Sequence, residues 1–278
     1  MTDAISSAGQ NVKDKASDWK EPLGRIGLVG QGVVATIIGL LTIRLAMGEK
    51  DEAATNDGAV QWLAAQPFGK FLLIALTVAL FALAVWRLLD AVMGDPVEGS
   101  EPKDRIKYAV LGVIWLLFAV TTLSVTIANW TDSGDAGGSG KSGDEAPQEA
   151  TSTLLDWPAG RWLVGLIGVA VIGYAIFHFK KEVIDLHFTE RLSTDDKSWV
   201  TRLGQAGYTA QALVYAVVGY FFIQSAITFD PETAKGISGA VVELADEGWG
   251  QVLLWAIAFG LFAYGIFCIA EAKYRKAA

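Results

Sequence analysis

Gly207-Tyr208-Thr209-Ala210-Gln211-Ala212-Leu213-Val214-Tyr215-Ala216-Val217-Val218-Gly219 opens a long apolar run and recurs, eroded, at two earlier places. A shift of 180 residues lays it on 27–39, matching Gly207 to Gly27, Gln211 to Gln31 and Gly219 to Gly39. A shift of 100 lays it on 107–119, matching Tyr208 to Tyr108 and Tyr215 to Trp115. A second apolar run follows each copy, opening at Gly69, Gly160 or Gly250. The chain therefore reads as three copies of a two-helix unit.

The solvent for these helices is lipid. Hydrophobic residues make up 52% of the 278, mean hydropathy is +0.37, and there are 10 tryptophans. Apolar runs of about 20 residues match the hydrocarbon core of a bilayer, and a helix satisfies its own backbone there. The spans are expected at 26–47, 71–89, 108–128, 162–179, 206–227 and 252–270. The fold class is thus all-α: six transmembrane helices in three parallel two-helix repeats. The expected division is a polar tail at 1–24, repeats at 25–94, 95–181 and 202–278, and a linker at 182–201. No short apolar region of the signal-peptide kind precedes the first span, which is expected to stay in the protein.

Charge sets the expected orientation. Of the 22 basic residues, 16 fall on the side of the N-terminus and 6 opposite, while the 30 acidic residues divide evenly. The positive-inside rule then puts both termini in the cytoplasm of a bacterial cell, with the protein in the plasma membrane. The acidic pI of 4.8 comes from the outward loops and gives no reason to expect a nucleic-acid partner.

Outward loops are expected at 49–67 and 229–249, with Trp62 and Trp249 at interfacial positions. The longest, 131–150, is Gly-, Ser- and Asp-rich and reads as disordered. It contains Gly-Gly-Ser-Gly-Lys-Ser, which is not a phosphate loop. The first glycine of that motif belongs where Asp135 stands, and no strand precedes it, so no nucleotide is expected. The linker at 182–200 reads as a short amphipathic helix on the membrane surface.

Within the first helix of each unit the recurring positions lie four apart: Gly27, Gln31, Ala35, Gly39; Lys107, Leu111, Trp115, Ala119; Gly207, Gln211, Tyr215, Gly219. Small residues on such a stripe let membrane helices approach, and Gln31 and Gln211 can bridge helices by hydrogen bonds. A polar lining for a solute is the competing reading, and Leu111 argues against it. Parallel repeats are expected as three hairpins around an axis along the membrane normal. In the second helices Leu83, Arg87 and Asp90 correspond to Tyr174, His178 and Lys181, and to Tyr264, Cys268 and Glu271. Arg87, Asp90, His178, Lys181, Cys268 and Glu271 would converge at the cytoplasmic mouth of such a ring. Some are metal-ligand types, but Arg87 and Lys181 oppose a cation site, and anchoring of the span ends is the preferred reading.

No Asp or Glu lies near the middle of a span, as an ion-coupled carrier would need. His178 and His187 are the two histidines, on a span end and a linker, so haem between spans is not expected. Neither a Ser-His-acid set nor HExxH is present, Cys268 is the single cysteine, and neither enzyme activity nor a cofactor is expected.

Gly-Tyr-x-Ala-x-x-x-x-Tyr-x-x-x-Gly at 207–219, with Gly-x-x-Leu-Leu at 250–254 and Tyr-Gly-x-Phe at 264–267, resembles a bacterial membrane family. That family is catalogued as domain of unknown function 1206 and is often found in actinobacteria as three copies of a two-helix unit. The resemblance covers 24–276. It is closest in the third copy and weakest in the middle one, where Lys107 and Leu111 replace Gly and Gln. It implies the architecture and assigns no activity.

The expected function is an accessory or scaffolding subunit of a larger membrane complex, such as a respiratory or envelope assembly, with the bilayer and other membrane proteins as partners. Phe221, Phe222, Trp255 and Phe262 are candidate contact residues. The alternatives are a passive transporter or channel, or a protein that binds lipid or quinone between hairpins. Orientation is tested with Ser139→Cys and Asp196→Cys and an impermeant thiol reagent. Position 139 is expected to label in intact cells and position 196 only after lysis; the reverse pattern overturns the orientation.

Overall fold

The computed structural model describes residues 2–48, 56–95, 99–130, 151–153, 160–193, 198–228, 230, 240, 243–244 and 250–276, apart from the side chains of 2–18 and 56–57. The outward loop 131–150 and Trp249 lie outside the described residues. The main helices are α1 (Thr2–Ala46), α2 (Asn56–Ala64), α3 (Gly69–Met93), α4 (Pro102–Trp130), α5 (Gly160–Phe179), α6 (Ser198–Thr228) and α7 (Gly250–Tyr274). Six of them, all but α2, are long and apolar enough to cross a membrane. The chain is a multi-pass membrane protein built from three parallel helix pairs, α1–α3, α4–α5 and α6–α7. Six crossings leave both termini on one side, called the terminal face below.

Two segments outside the spans take a form the repeat pattern does not give. The polar stretch 1–24 is helical and continuous with the first span, because α1 runs unbroken from Thr2 to Ala46 with Pro22 inside it. Once the span has nucleated the helix, each further residue adds a bond at little cost, and Pro22 removes one such bond without ending it. The linker after α5 is no amphipathic helix. It is a π-helical turn, Lys180–Ile184, then Leu186 in the left-handed region (φ 52), then a 3-10 turn, His187–Arg191. That irregular path sinks Phe188 completely among Tyr208, Phe267 and Gly204. Burying an aromatic side chain outweighs regular backbone here.

Helix packing follows the repeat. The second helix of each unit packs on the first helix of the next: α3 on α4, α5 on α6, and α7 back on α1. The seams match residue by residue. A Cβ on Gly32 would stand 2.7 Å from Ile269 Cγ1, and one on Gly112 would stand 2.7 Å from Leu88 Cδ2. Likewise Gly39 faces Phe262 and Gly219 faces Ile172, each against the repeat-equivalent residue. Where the first seam has a Thr77–Thr126 hydrogen bond of 3.0 Å, the second has Gly168 against the backbone of Gly219.

Within units 1 and 3 the two helices also pack on each other. Gly27 lies under Leu83 and Gly207 under the equivalent Tyr264, with a Cβ placed 2.6 Å from Leu83 Cα or 2.7 Å from Tyr264 Cα. One turn on, the small residue changes sides: Gly30 meets Ala79 in unit 1, and Ala210 meets Gly260 in unit 3. The stripe Gly27, Gln31, Ala35, Gly39 therefore serves two partners. Twelve residues at 3.6 per turn leave a net rotation of about 120°, which carries it from α3 to α7.

The middle unit differs. α4 and α5 do not pack as a pair, so the helices form an open ring in the order α4, α3, α1, α7, α6, α5. Of the three expected hairpins, two pack closely on themselves and the middle one is open. The cause is readable at the positions just described. Lys107 stands where Gly27 and Gly207 stand, and Val110 where Gly30 and Ala210 stand. Neither side chain leaves room for a helix at backbone distance. Even so, all six helices supply residues to one apolar cluster, including Leu41, Leu80, Ala119, Val171, Val218 and Leu254.

The seams predict opposite outcomes for one substitution. Gly39→Ala puts a methyl 2.5 Å from Phe262 N and is expected to cost about 1–3 kcal/mol. Gly173→Ala, with nothing within 4 Å, is expected to be neutral or to stabilise by up to about 1 kcal/mol through helix propensity. Unfolding in mixed detergent micelles reads both. Equal effects would remove the close-packed seam.

Candidate functional site

Polar chemistry concentrates at the terminal face, where helix ends meet water and charged side chains are affordable. Lys20 of α1 is buried and reaches Asp90 of α3 (2.9 Å) and the carbonyl of Gly94 (2.8 Å). Arg87 lies 3.5 Å from the same Asp90 carboxylate. Just past α3, Asp95 accepts from Arg275 at 3.3 Å, and Arg275 also donates to Glu271 of α7 at 2.8 Å. Arg191 of the linker joins Glu271 (3.7 Å) to Glu182 (3.2 Å) in the π-helical turn after α5. The guanidinium groups of Arg87 and Arg275 both lie over Trp86, at 4.2 and 4.6 Å from its ring centre.

These contacts form an ionic belt that touches α1, α3, α7 and the end of α5. Main-chain bonds reinforce it, with Ser193 N–H donating to Tyr274 O and Lys276 N–H to Arg191 O. α4 is left out; its Arg105 donates instead to the carbonyls of Val92 and Ser100.

Deeper, towards the ring centre, lies an aromatic layer. Gln31 donates to Tyr264 Oη at 3.1 Å across the α1–α7 seam. His178 Nε2 and Gln211 Oε1 are 3.3 Å apart across the equivalent α5–α6 seam. Leu111 occupies the third equivalent position. Around His178 stand Tyr174, Tyr208 and Tyr215, with ring centres 5.6 to 5.8 Å away. Tyr208 continues the layer to Tyr264 at 5.5 Å.

The structure thus divides the six polar side chains expected at one mouth. Arg87 and Asp90 join Lys20; Glu271 joins Arg191 and Arg275; His178 belongs to the tyrosine layer. Cys268 is buried against Gly32, and Lys181 is half-buried in the π-helical turn. Among the described residues no three His, Cys, Asp or Glu side chains are grouped as a metal site. Lys20, Asp95, Glu182, Arg191 and Arg275 escaped the sequence reading because each lies outside the recurring positions. Tyr208 and Tyr215 stood within the recurring stretch itself.

The model of the family described as Domain of Unknown Function (DUF1206) matches three times, at 26–94, 106–181 and 206–275, and the chain belongs to that family. It is also similar to the uncharacterized protein YxxB of Bacillus subtilis, with 28% identity over 271 residues, 95% of this chain and 94% of the relative. No solved structure gives a significant match.

Removing Glu271 tests the belt. Arg191 and Arg275 each keep one carboxylate, so Glu271→Ala is expected to cost about 3 kcal/mol, at the low end for breaking a buried pair. Adding Arg275→Ala should cost less in that background than in the unchanged protein, where it breaks two pairs. Additive losses in a double-mutant cycle would mean that the two side chains act independently.

Proposed function

We propose that this protein is an accessory or scaffolding subunit of a larger assembly in a bacterial plasma membrane, with both termini cytoplasmic and no catalytic centre of its own. The observation that carries the reading is the uneven burial of the six spans. In the most apolar stretch of each helix, 28% of α4 and 17% of α5 is buried, against 39–56% in the other four. The middle repeat leaves apolar faces uncovered that the outer repeats bury within the chain. Faces of that kind suit protein contacts in the bilayer, where association rests on fit.

An apolar cluster to which all six helices contribute described residues supports the same reading over a transporter, whose path needs polar groups. The aromatic candidates named from sequence are less suited to a partner than the middle repeat. Phe221 is buried, Phe262 packs against Gly39, and Phe222 and Trp255 are partly covered by the core.

Purification from native membranes in mild detergent tests the reading. A partner held at fixed stoichiometry through sizing and native electrophoresis is the expected result. Recovery of the chain alone, together with saturable solute flux in liposomes made with it, would replace the accessory role with transport.

A further inference from the structure

The space over one repeated glycine is plugged in unit 3 and open in unit 1. Gly204 makes room for Phe188: a Cβ on it would stand 2.5 Å from the Phe188 ring and 3.0 Å from that of Phe267. The equivalent pair in unit 1 is Gly24 and Trp86, where a Cβ would stand 2.9 Å from the indole. Over that pair lies a partly open cleft, between the start of the α1 span and the chain just past α3 and α7. An apolar ring fills the first space, and charged side chains surround the second.

Four cations, Lys20, Arg25, Arg275 and Lys276, and two carboxylates, Glu21 and Asp95, line the cleft. Both carboxylates are already engaged, Glu21 by Arg25 and Asp95 by Arg275, and Lys20 is held by Asp90. Lys276 is anchored at the rim by its N–H bond to Arg191 O. Its exposed ammonium group has no ion-pair partner among the described residues, so the cleft keeps an excess of positive charge. Arg25 adds a donor. Its Nη2 donates to Glu21, but its Nε is buried and, among the described residues, has no hydrogen-bond partner. A buried donor in that state is costly, and an anionic oxygen would satisfy it with a charge-assisted bond. The depth is also defined. Trp19, 66% exposed, stands where the α1 span begins, so Lys20 to Arg25 and the end of α7 lie at the level of lipid headgroups.

We propose that this cleft binds the phosphate group of an anionic phospholipid, with Arg25 Nε and Lys276 Nζ as its donors. The site is additional to the accessory role and does not depend on it. Basic pockets between helix ends at the membrane surface suit such headgroups, because the phosphate arrives already held at that depth. Free phosphate would use the same two donors. The lipid has a further contact open to it, since Ile26 and Val29 on the adjoining stretch of α1 are exposed and offer apolar surface to acyl chains.

Lipid titration of the purified full chain in non-ionic detergent decides it. Phosphatidylglycerol, phosphatidylcholine with the same acyl chains, and inorganic phosphate are added separately; bound molecules are counted by native mass spectrometry and thermal unfolding is followed in parallel. One tightly held phosphatidylglycerol is expected, with phosphatidylcholine retained more weakly. Arg25→Gln and Lys276→Gln are each expected to weaken that retention about fivefold, the effect of one basic side chain at a membrane surface. Unfolding without lipid should be unchanged in both, because Arg25 gives up only a half-exposed pair and Lys276 gives up none. Arg25→Lys keeps the charge without the Nε donor and should restore retention in part. Lys103→Gln removes a basic side chain from the same face outside the cleft and should have no effect. Equal retention of the two lipids, retention that survives both cleft variants, or an equal loss in Lys103→Gln overturns the proposal. Binding of inorganic phosphate without phosphatidylglycerol, lost in Arg25→Gln, refutes the lipid and assigns the phosphate to solution. None of these outcomes bears on whether a protein partner co-purifies, so the two readings fail separately.

Discussion

Everything in this fold depends on how closely two backbones can approach. Lipid offers no hydrophobic drive for one apolar helix to leave it for another, so association rests on contact density and on a few polar bonds. Among the described residues, eleven glycines (24, 27, 30, 32, 39, 112, 168, 207, 219, 260 and 265) sit where a methyl would collide with the neighbouring helix. The exchange of Gly30–Ala79 for Ala210–Gly260 shows that the requirement is on the pair of residues: one side must be glycine and the other no larger than alanine. The same rule read backwards explains the open hairpin. A lysine and a valine at those points cannot be accommodated, however apolar the rest of the interface.

The ionic belt answers a different demand. Buried ion pairs add little net stability, since removing charges from water offsets most of their attraction, but an unmatched partner is costly, which makes them selective for one arrangement. Here they connect helices that are distant in sequence: Lys20 with Asp90, Asp95 with Arg275, Glu271 with Arg191. Sliding α1 or α7 by one turn would strand several charges at once. The belt thereby fixes the depth at which helices meet, while the glycine seams fix their separation. α4 takes part in the seams and not in the belt.

The six spans, the threefold repeat and the grouping of helices by unit were legible in the sequence, because 20-residue apolar runs and spaced glycines are local patterns. The continuation of α1 through the polar stretch was not, since nothing local distinguishes a tail from a helix extended from a span. The path of the linker depends on Phe188 finding a hole made by Tyr208, Phe267 and Gly204, which comes from two other helices. The six-residue polar cluster failed as a single site for a related reason. Matching positions in three repeats meet only if the repeats are equivalent, and the partners that divide them (Lys20, Arg191, Arg275) fall outside the repeat pattern. The departure of Lys107 and Leu111 was visible at once; its meaning required knowing what Gly27 and Gly207 touch.

The departure at Lys107 and Val110 lies at the positions that in the other two repeats meet the second helix of the same unit. Had the middle repeat merely loosened, both of its packing faces would have decayed together. Instead α4 keeps Gly112 under Leu88 and the Thr77–Thr126 bond on its seam with α3, and α5 keeps Gly168 against Gly219 on its seam with α6. On the α3–α4 seam the Gln bond of the other repeats is lost at Leu111, while the two faces that would have met each other have changed further, one by gaining bulk and charge, the other by leaving Gly173 with nothing within 4 Å. The changes separate the two helices and leave the three seams between neighbouring units in place.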